Sequence, residues 1–151
     1  MTLLQDKVVL VTGGSTGIGR ATAQILGAEG ARVVIADVQD AEGANTVKLV
    51  TDAGGVAEYM HVDVSDYDAV SAAIAALVDQ HGALDGAFNN AGIEGPTARI
   101  ADVSMADWDR VIRVNLTGVF ICMKAEIEQM MKQGGGGSIV STASAAGLIG
   151  I

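Results

Sequence analysis

Short apolar runs rich in β-branched residues alternate along this chain with longer stretches of helical character. A run that is apolar on both faces is typical of a strand covered on both sides, as in a parallel sheet. Regular alternation of strand and helix therefore predicts an α/β fold with a doubly wound parallel sheet. The predicted strands cover residues 8–11, 32–36, 57–62, 84–88 and 138–140, and the predicted helices cover 17–28, 41–51, 66–80 and 104–133.

Composition bounds the size of the fold and the class of partner. The 151 residues carry nine basic and eighteen acidic side chains, a net charge of −9, and 50% of them are hydrophobic. This is enough chain for one domain with a sizeable core, so we expect a single domain over residues 1–151. The acidic balance, without a basic stripe, argues against nucleic acid as a partner. No apolar run approaches the roughly 20 residues of a membrane-spanning helix, and no membrane association is expected.

Cysteine and histidine content argues against disulfides and metal. The one cysteine, Cys122, cannot form an internal disulfide, which makes the cytoplasm the default location. Its place on an apolar helical stretch predicts a core residue rather than a nucleophile. His61 and His81 are isolated in the sequence, so no metal site is predicted.

A glycine-rich turn directly after the first strand is the strongest sign of a binding site. It reads TGGSTGIG over residues 12–19 and opens the first helix. Glycines let the backbone approach a pyrophosphate, and the helix N-terminus supplies free N–H groups and partial positive charge. No Gly-Lys-Ser/Thr follows, which excludes the phosphate loop of nucleotide triphosphatases. We therefore predict a Rossmann-type dinucleotide-binding topology with five strands in the order 3-2-1-4-5, and a cofactor turn formed by Gly13, Ser15, Thr16, Gly17, Ile18 and Gly19.

The end of the second strand favours NAD over NADP. Asp37 lies eighteen residues after Gly19, where a carboxylate can accept hydrogen bonds from the adenosine ribose and repels a 2′-phosphate. Thr16 and Val38 are neutral where a phosphate-binding cation would be expected. Arg20 is the nearby exception, and we expect it on the exposed side of the first helix.

Five motifs in order resemble the short-chain dehydrogenase/reductase family from the first residue to the last. They are the TGGSTGIG turn, Asp63-Val64 after the third strand, Asn89-Asn90-Ala91-Gly92 after the fourth, Val114-Asn115 in the long helix, and the segment from Gly137 to Ser144. The resemblance implies an NAD-dependent oxidoreductase that transfers a hydride between the nicotinamide and a secondary alcohol or ketone. It also implies a homotetramer or dimer built on the long helix.

The motifs after the third and fourth strands fall at the edge where open α/β sheets bind ligands. For Asp63 the alternative is a cap for the helix that begins near residue 66, whereas the resemblance implies contact with the adenine amino group. For residues 89–92 the alternative is turn chemistry alone, since Asn and Gly tolerate left-handed conformations. The resemblance implies that this turn also supports the cofactor. The cofactor residues predicted here are Asp63, Val64, Asn90, Ala91 and Gly92.

Asn115 is predicted to lie in a buried apolar stripe of the long helix, in phase with Trp108, Val111 and Ile112. A buried amide needs hydrogen-bond partners, and a purely structural tie is one explanation for it. The resemblance implies a second role, in which the amide holds a water at the inner end of a proton relay.

Ser144 follows the fifth strand, where a serine alone would indicate only loop chemistry. The segment resembles the family pattern IVNxSSxxG, which implies that Ser144 is the catalytic serine. Two positions depart from that pattern: Ser141 stands where asparagine is usual, and Ala143 replaces the first of the paired serines. Ser141 and Ser138 are weaker candidates for the catalytic role.

The tyrosine and lysine that the family's chemistry requires after this serine do not occur within the 151 residues. Tyr59 and Tyr67 lie near the third strand, and neither is followed by a lysine four residues later. We therefore expect the N-terminal cofactor-binding part of a longer enzyme, truncated after the fifth strand and inactive alone. The alternative is a non-catalytic NAD-binding or interaction module made by truncation.

Overall fold

The computed structural model describes residues 2–148, which form a five-stranded parallel sheet in the order β3-β2-β1-β4-β5. This confirms the predicted doubly wound, Rossmann-type topology and its strand order. All four strand pairs are parallel, so every strand ends at the same edge. The strands are β1 (Val8–Thr12), β2 (Arg32–Asp37), β3 (Val56–His61), β4 (Gly86–Asn89) and β5 (Ser138–Ser141).

Helices connect the strands and cover both faces of the sheet. They are α1 (Gly17–Ala28), α2 (Asp40–Asp52), α3 (Tyr67–His81), α4 (Met105–Ile112) and α5 (Val119–Gln133). The helix predicted over residues 104–133 is continuous in course, but its hydrogen-bond pattern changes to a π-helix over Arg113–Gly118, between α4 and α5. Short 3₁₀ turns lie at Ile100–Asp102 and Ala145–Gly147.

Polar side chains cap the N-termini of α3 and α4. Asp66 Oδ1 accepts hydrogen bonds from the backbone N–H groups of Asp68 and Ala69, at 2.9 and 3.1 Å. Ser104 Oγ accepts one from the N–H of Asp107 at 3.0 Å. These side chains satisfy N–H groups that have no partner within the helix, which fixes where each helix begins.

The core consists of two apolar layers, one on each face of β1 and β2, because side chains alternate along a strand. On one face, Val8, Leu10 and Val34 pack with α3 and α5, including the buried Cys122. This confirms the prediction that Cys122 is a core residue. On the other face, β1 and β2 pack against α1 and α2. Within residues 2–148, no helix is long and apolar enough to cross a membrane.

Candidate functional site

A cleft of about 600 Å³ lies at the carboxyl edge of the sheet, among the loops that follow β1, β2, β3 and β4. The strand order reverses beside β1, and open α/β sheets bind ligands at such a point. The predicted cofactor residues that line this cleft are Gly13, Thr16, Gly17, Ile18, Asp37, Val38, Asp63, Val64, Asn90, Ala91 and Gly92.

Ser15 and Gly19 belong to the same turn but lie beneath its surface, where both are buried. A Cβ at Gly19 would overlap the carbonyl oxygen of Gly13 and approach Asn90 Nδ2 to 2.8 Å. A Cβ at Gly13 would lie 2.7 Å from the Cα of Ala91. Glycine is needed at both positions because the turn after β1 packs directly against the turn after β4.

The Asp37 carboxylate is held by three backbone N–H groups at the end of β2. Oδ2 accepts from Ser15 at 3.1 Å, and Oδ1 accepts from Val38 at 2.8 Å and Gln39 at 3.2 Å. Asp37 is buried apart from the surface that it presents to the cleft. These contacts orient the carboxylate and link the glycine-rich turn to the end of β2.

Arg20 is not on the exposed side of α1, and that prediction was wrong. Its guanidinium lies half-buried between α1 and α2, where it donates to the carbonyl oxygen of Ser15 and to Thr46 Oγ1. It also forms an ion pair with Glu42, and this hydrogen bond lowers the pKa of the Glu42 carboxyl. The arginine therefore supports the glycine-rich turn from behind.

Asp63 lies at the cleft and is not the cap of α3. Its Oδ1 accepts a hydrogen bond from the N–H of Ser65 at 2.9 Å. The capping role proposed as an alternative for Asp63 belongs to Asp66. Val64, the next residue after Asp63, packs in the core and against Gly118, where an added Cβ would lie 2.8 Å from the valine side chain.

Thr12 joins the turn after β4 to the end of β1. Its Oγ1 accepts from the N–H groups of Asn90 and Ala91, at 3.0 and 3.2 Å. Asn90 Nδ2 donates to the carbonyl oxygen of Gly13 at 3.3 Å, and its Oδ1 accepts from Thr142 Oγ1 at 3.1 Å. The Asn90 amide thus bridges the turns that follow β1 and β5, with its own turn between them.

Asn115 is exposed, so the prediction of a buried position was wrong. The apolar face of the helix that was expected to be buried with it is exposed to solvent at Trp108 and only partly covered at Val111. The amide nevertheless has two partners on one residue of the loop after β4. Its Oδ1 accepts from the N–H of Ile93 at 2.9 Å, and its Nδ2 donates to the Ile93 carbonyl at 2.8 Å. Asn115 therefore ties the π-helical segment to that loop.

Ser144 follows β5 and begins the 3₁₀ turn Ala145–Gly147, accepting a hydrogen bond from the N–H of Ala146 at 3.2 Å. Its side chain is exposed, and it does not line the cleft. Ser138 and Ser141 are the ends of β5 and are also exposed. The structure therefore places Ser144 after a strand end at the same edge of the sheet, outside the lining of the cleft.

Sequence reasoning missed a polar cluster behind Asp37, formed by Tyr59, His61 and Asp40. Tyr59 Oη lies 2.7 Å from the Asp37 carbonyl oxygen and 2.8 Å from Asp40 Oδ1, and His61 Nδ1 lies 2.6 Å from the same Asp40 oxygen. Hydrogen bonds from His61 and Tyr59 lower the pKa of Asp40, whereas burial raises that of Tyr59. Among residues 2–148, no group of three possible metal ligands lies together.

Six further residues line the cleft, and all of them lie within two positions of predicted site residues, which is the signal that could have indicated them. They are Ala36 in β2, Val114 in the π-helical segment, and Gln39, Val62, Ile93 and Glu94 in the loops.

Comparisons with known proteins agree on one family. A family model described as short chain dehydrogenase matches residues 7–151. The 2,5-dichloro-2,5-cyclohexadiene-1,4-diol dehydrogenase of Sphingobium indicum is 43% identical over 151 residues, which are 100% of this chain and 59% of that protein. Secoisolariciresinol dehydrogenase of Forsythia intermedia is 43% identical over 148 residues, which are 97% of this chain and 52% of that protein. The chain therefore spans less than two thirds of these curated relatives.

Solved structures lead to the same group of proteins. The crystal structure of an NAD⁺-bound xylitol dehydrogenase superposes with a TM-score of 0.94 at 36% identity. The match covers 99% of this chain and 57% of that one.

Proposed function

Because the chain belongs to the short-chain dehydrogenase family, we propose that it forms the cofactor-binding part of an NAD-dependent oxidoreductase. The reaction is hydride transfer between the nicotinamide and a secondary alcohol or ketone. The observation that carries this proposal is the cleft at the carboxyl edge of the sheet, with the glycine-rich turn on one side and the Asp37 carboxylate on another. The nicotinamide, when bound, accepts or supplies the hydride.

The residues present fit a dinucleotide. Gly17 lines the cleft and has a φ of 51°. A Cβ there would have no neighbour within 4 Å, so a phosphate can approach the backbone at this position. Ile18 and Val38 are large apolar side chains that stay exposed at the cleft. Covering them would remove apolar surface from water, which favours a ligand with a flat, partly apolar base.

Each loop has a distinct part in holding the cofactor. The turn from Gly13 to Gly19, with Ser15, Thr16, Gly17 and Ile18, binds the pyrophosphate through backbone N–H groups and the N-terminus of α1. Asp37 and Val38 face the adenosine ribose, and Asp63 and Val64 face the adenine. The turn Asn90, Ala91 and Gly92 supports the nicotinamide side of the cleft.

Charge at the end of β2 favours NAD over NADP. Asp37 is fixed by three N–H donors and would repel a 2′-phosphate. Arg20 is the cation directly after the glycine-rich turn, and its guanidinium is already bound to Glu42 and to the Ser15 carbonyl. A phosphate would have to compete with those partners.

The chemical step needs groups on both sides of the substrate oxygen. We assign to Ser144 the hydrogen bond that stabilises charge developing on this oxygen. We assign to Asn115 the positioning of a water in the proton relay, in addition to its tie to Ile93. The tyrosine and lysine of the family do not occur at the required spacing within these residues, so we expect the 151 residues alone to bind cofactor without turnover.

The exposed apolar side of α4, the π-helical segment and α5 supports a homo-oligomer, a dimer or tetramer. Several large side chains on it face solvent, and a patch of this kind marks an interaction surface. They are Met105, Trp108, Leu116, Phe120, Met123, Ile127 and Met131. The cytoplasm is the expected location because the single cysteine cannot form an internal disulfide.

The test is steady-state kinetics of the full-length protein with NAD or NADP and a panel of secondary alcohols. The reaction is monitored by the absorbance of the reduced cofactor, NADH or NADPH. The Sphingobium relative is named for a cyclic diol, so cyclic alcohols come first in the panel. We expect Asp37→Ser to lower kcat/KM with NAD by about 10–100-fold, since a hydrogen bond to a charged group contributes about 1.5–3 kcal/mol. The loss with NADP should be smaller.

Asp52→Ser is the matched control, because it removes the same charge from the exposed end of α2. Equal losses with both cofactors in Asp37→Ser would contradict the assignment of Asp37 to the ribose. Cofactor binding without turnover of any alcohol would favour the non-catalytic NAD-binding module.

A further inference from the structure

Glu126 and Asn89 form a buried pair behind the cofactor edge of the sheet. Glu126 lies on α5 with 0% of its surface exposed, and Asn89 is the buried last residue of β4. Asn89 Nδ2 donates a hydrogen bond to Glu126 Oε2 at 2.9 Å. A glutamate without solvent contact is rare unless it is paired with a cation or stays neutral.

Among the described residues, the Asn89 amide oxygen and one of the two Glu126 carboxyl oxygens have no hydrogen-bond partner. Glu126 Oε1 and Asn89 Oδ1 are buried and accept no hydrogen bond from any described residue. Two acceptors cannot satisfy one another when the carboxyl is ionised. A protonated carboxyl carries one O–H donor, and an amide opposite it can then exchange two reciprocal hydrogen bonds. Protonation therefore resolves both unpaired atoms at once.

Within residues 2–148, no opposite charge next to Glu126 compensates for its ionisation. The strands β1, β4 and β5 contain no titratable residue, and α3 contains none between Ala69 and Val78. The two lysines of α5 are exposed: Lys124 is bound to Glu128 and Tyr67, and Lys132 lies in the last turn of the helix. Cys122, one turn before Glu126, is neutral, since burial raises the pKa of its thiol. Burial likewise raises the pKa of Glu126 to about 7.

Asn89 connects this pair to the cofactor cleft. It directly precedes Asn90, and it lies in register with Thr12 of β1 and Ser141 of β5. Its backbone carbonyl accepts from the N–H of Thr142 at 2.9 Å. A side chain that fixes Asn89 therefore fixes the start of the turn that supports the cofactor.

We propose that Glu126 is a neutral carboxylic acid joined to the Asn89 amide by two hydrogen bonds, and that it acts as a positioning residue for the turn Asn90–Gly92. The cofactor part of this inference rests on the proposed function. The hydrogen-bond pair itself is a property of the fold and is tested without cofactor.

The first experiment measures the stability of the full-length protein by urea unfolding between pH 4.5 and 8, for wild type and Glu126→Gln. The pKa of Glu126 is higher in the folded state than its ordinary value of 4.5. Its stabilising contribution is therefore complete below pH 4.5 and is lost as the pH rises through about 7. The folding constant of wild type relative to Glu126→Gln should fall at least tenfold across this window, because a proton bound only by the folded state changes it by up to tenfold per pH unit. Other titrating groups are common to both proteins and cancel.

Glu128→Gln is the matched control, two residues further along α5 on an exposed carboxyl paired with Lys124. It should keep the wild-type slope. If the folding constant of wild type relative to Glu126→Gln did not vary with pH, the proposal of a neutral Glu126 would be wrong. That result would indicate an ionised Glu126 with a buried water.

The second experiment measures NAD affinity by titration calorimetry at pH 6. Glutamine can reproduce both hydrogen bonds to Asn89, so Glu126→Gln should bind within about twofold of wild type. Glu126→Leu removes them and should bind about tenfold more weakly. Equal affinity of the Leu and Gln variants would overturn the positioning role. Absence of NAD binding in wild type would instead refute the proposed function. The pH dependence of the unfolding free energy would still show whether Glu126 is a neutral acid bound to Asn89.

Discussion

The two halves of the sheet differ in how completely this chain covers them. Around β1 and β2, Val11, Val33 and Ile35 are 0% exposed. Around α4, α5 and β5, Leu116 is 63%, Phe120 65% and Val140 56% exposed. The first half supplies most of the lining of the cleft, and the turn after β4 and Val114 complete it. The second half presents an apolar surface that the described residues leave exposed, so the two halves respond to different kinds of substitution.

The largest effect is expected in the covered half, at Gly19. In Gly19→Ala, the new methyl group would overlap the Gly13 carbonyl and crowd the Asn90 amide. The turn would have to move, and a displacement of about 1 Å in a positioned site costs about 100-fold in rate. We expect a loss of the same order, about 100-fold, in NAD affinity measured by calorimetry.

Gly135→Ala is the control for this substitution. A Cβ there would meet nothing within 4 Å, and Gly135 lies in the loop between α5 and β5. Wild-type affinity in Gly19→Ala would show that the glycine-rich turn does not bind the pyrophosphate.

The next effect concerns the uncovered half, at Phe120. If a second copy of the chain covers this side chain, Phe120→Glu buries an unpaired charge at the interface. We expect association to weaken about 10–100-fold, with light scattering showing smaller particles at the same concentration. Leu3→Glu introduces the same charge at an exposed residue near the N-terminus, far from Phe120 in the sequence, and should leave the particle size unchanged. An unchanged assembly in Phe120→Glu would exclude this face as the subunit contact.

The smallest effect is expected where the two halves meet, at Asn115. Asn115→Ala removes both hydrogen bonds to Ile93. Exposed hydrogen bonds contribute about 0.5–1.5 kcal/mol each, so the unfolding free energy should fall by about 1–2 kcal/mol. Hydrogen exchange at the Ile93 amide should become faster, while exchange at Leu10 in β1 stays slow. Unchanged exchange at Ile93 would mean that the amide does not hold the loop.

The sequence predicted those features that depend on local pattern. Parallel strands are apolar on both faces, which revealed β1 and β2, and each strand end then located a loop of the cleft. The glycines at 13 and 19 were recognisable from the TGGSTGIG spacing directly after β1. The structure adds a second reason for them, because the turns after β1 and β4 touch there. Element ends differ by only one or two residues, except at the π-helical change within the long helix.

Three side chains depended on distant contacts and could not be predicted in the same way. Asn115 has the spacing of a buried position, but no element among the described residues covers that side of α4. Arg20 lies beneath the glycine-rich turn because Glu42 of α2 attracts it. Glu126 has the appearance of a surface residue next to Glu128 and Lys124, yet α5 turns it towards Asn89.

The π-helical segment Arg113–Gly118 has a consequence for insertions and deletions. Its hydrogen bonds run from residue i to i+5, so its turn holds one residue more than an α-helical turn. Deleting one residue there would restore an ordinary turn and leave α4 and α5 facing as they do now. Deleting one residue within α5 would rotate the following side chains by about 100° and carry Glu126 or Met130 out of the interior. Related chains can therefore differ in length by one residue at this segment without reorganising the core.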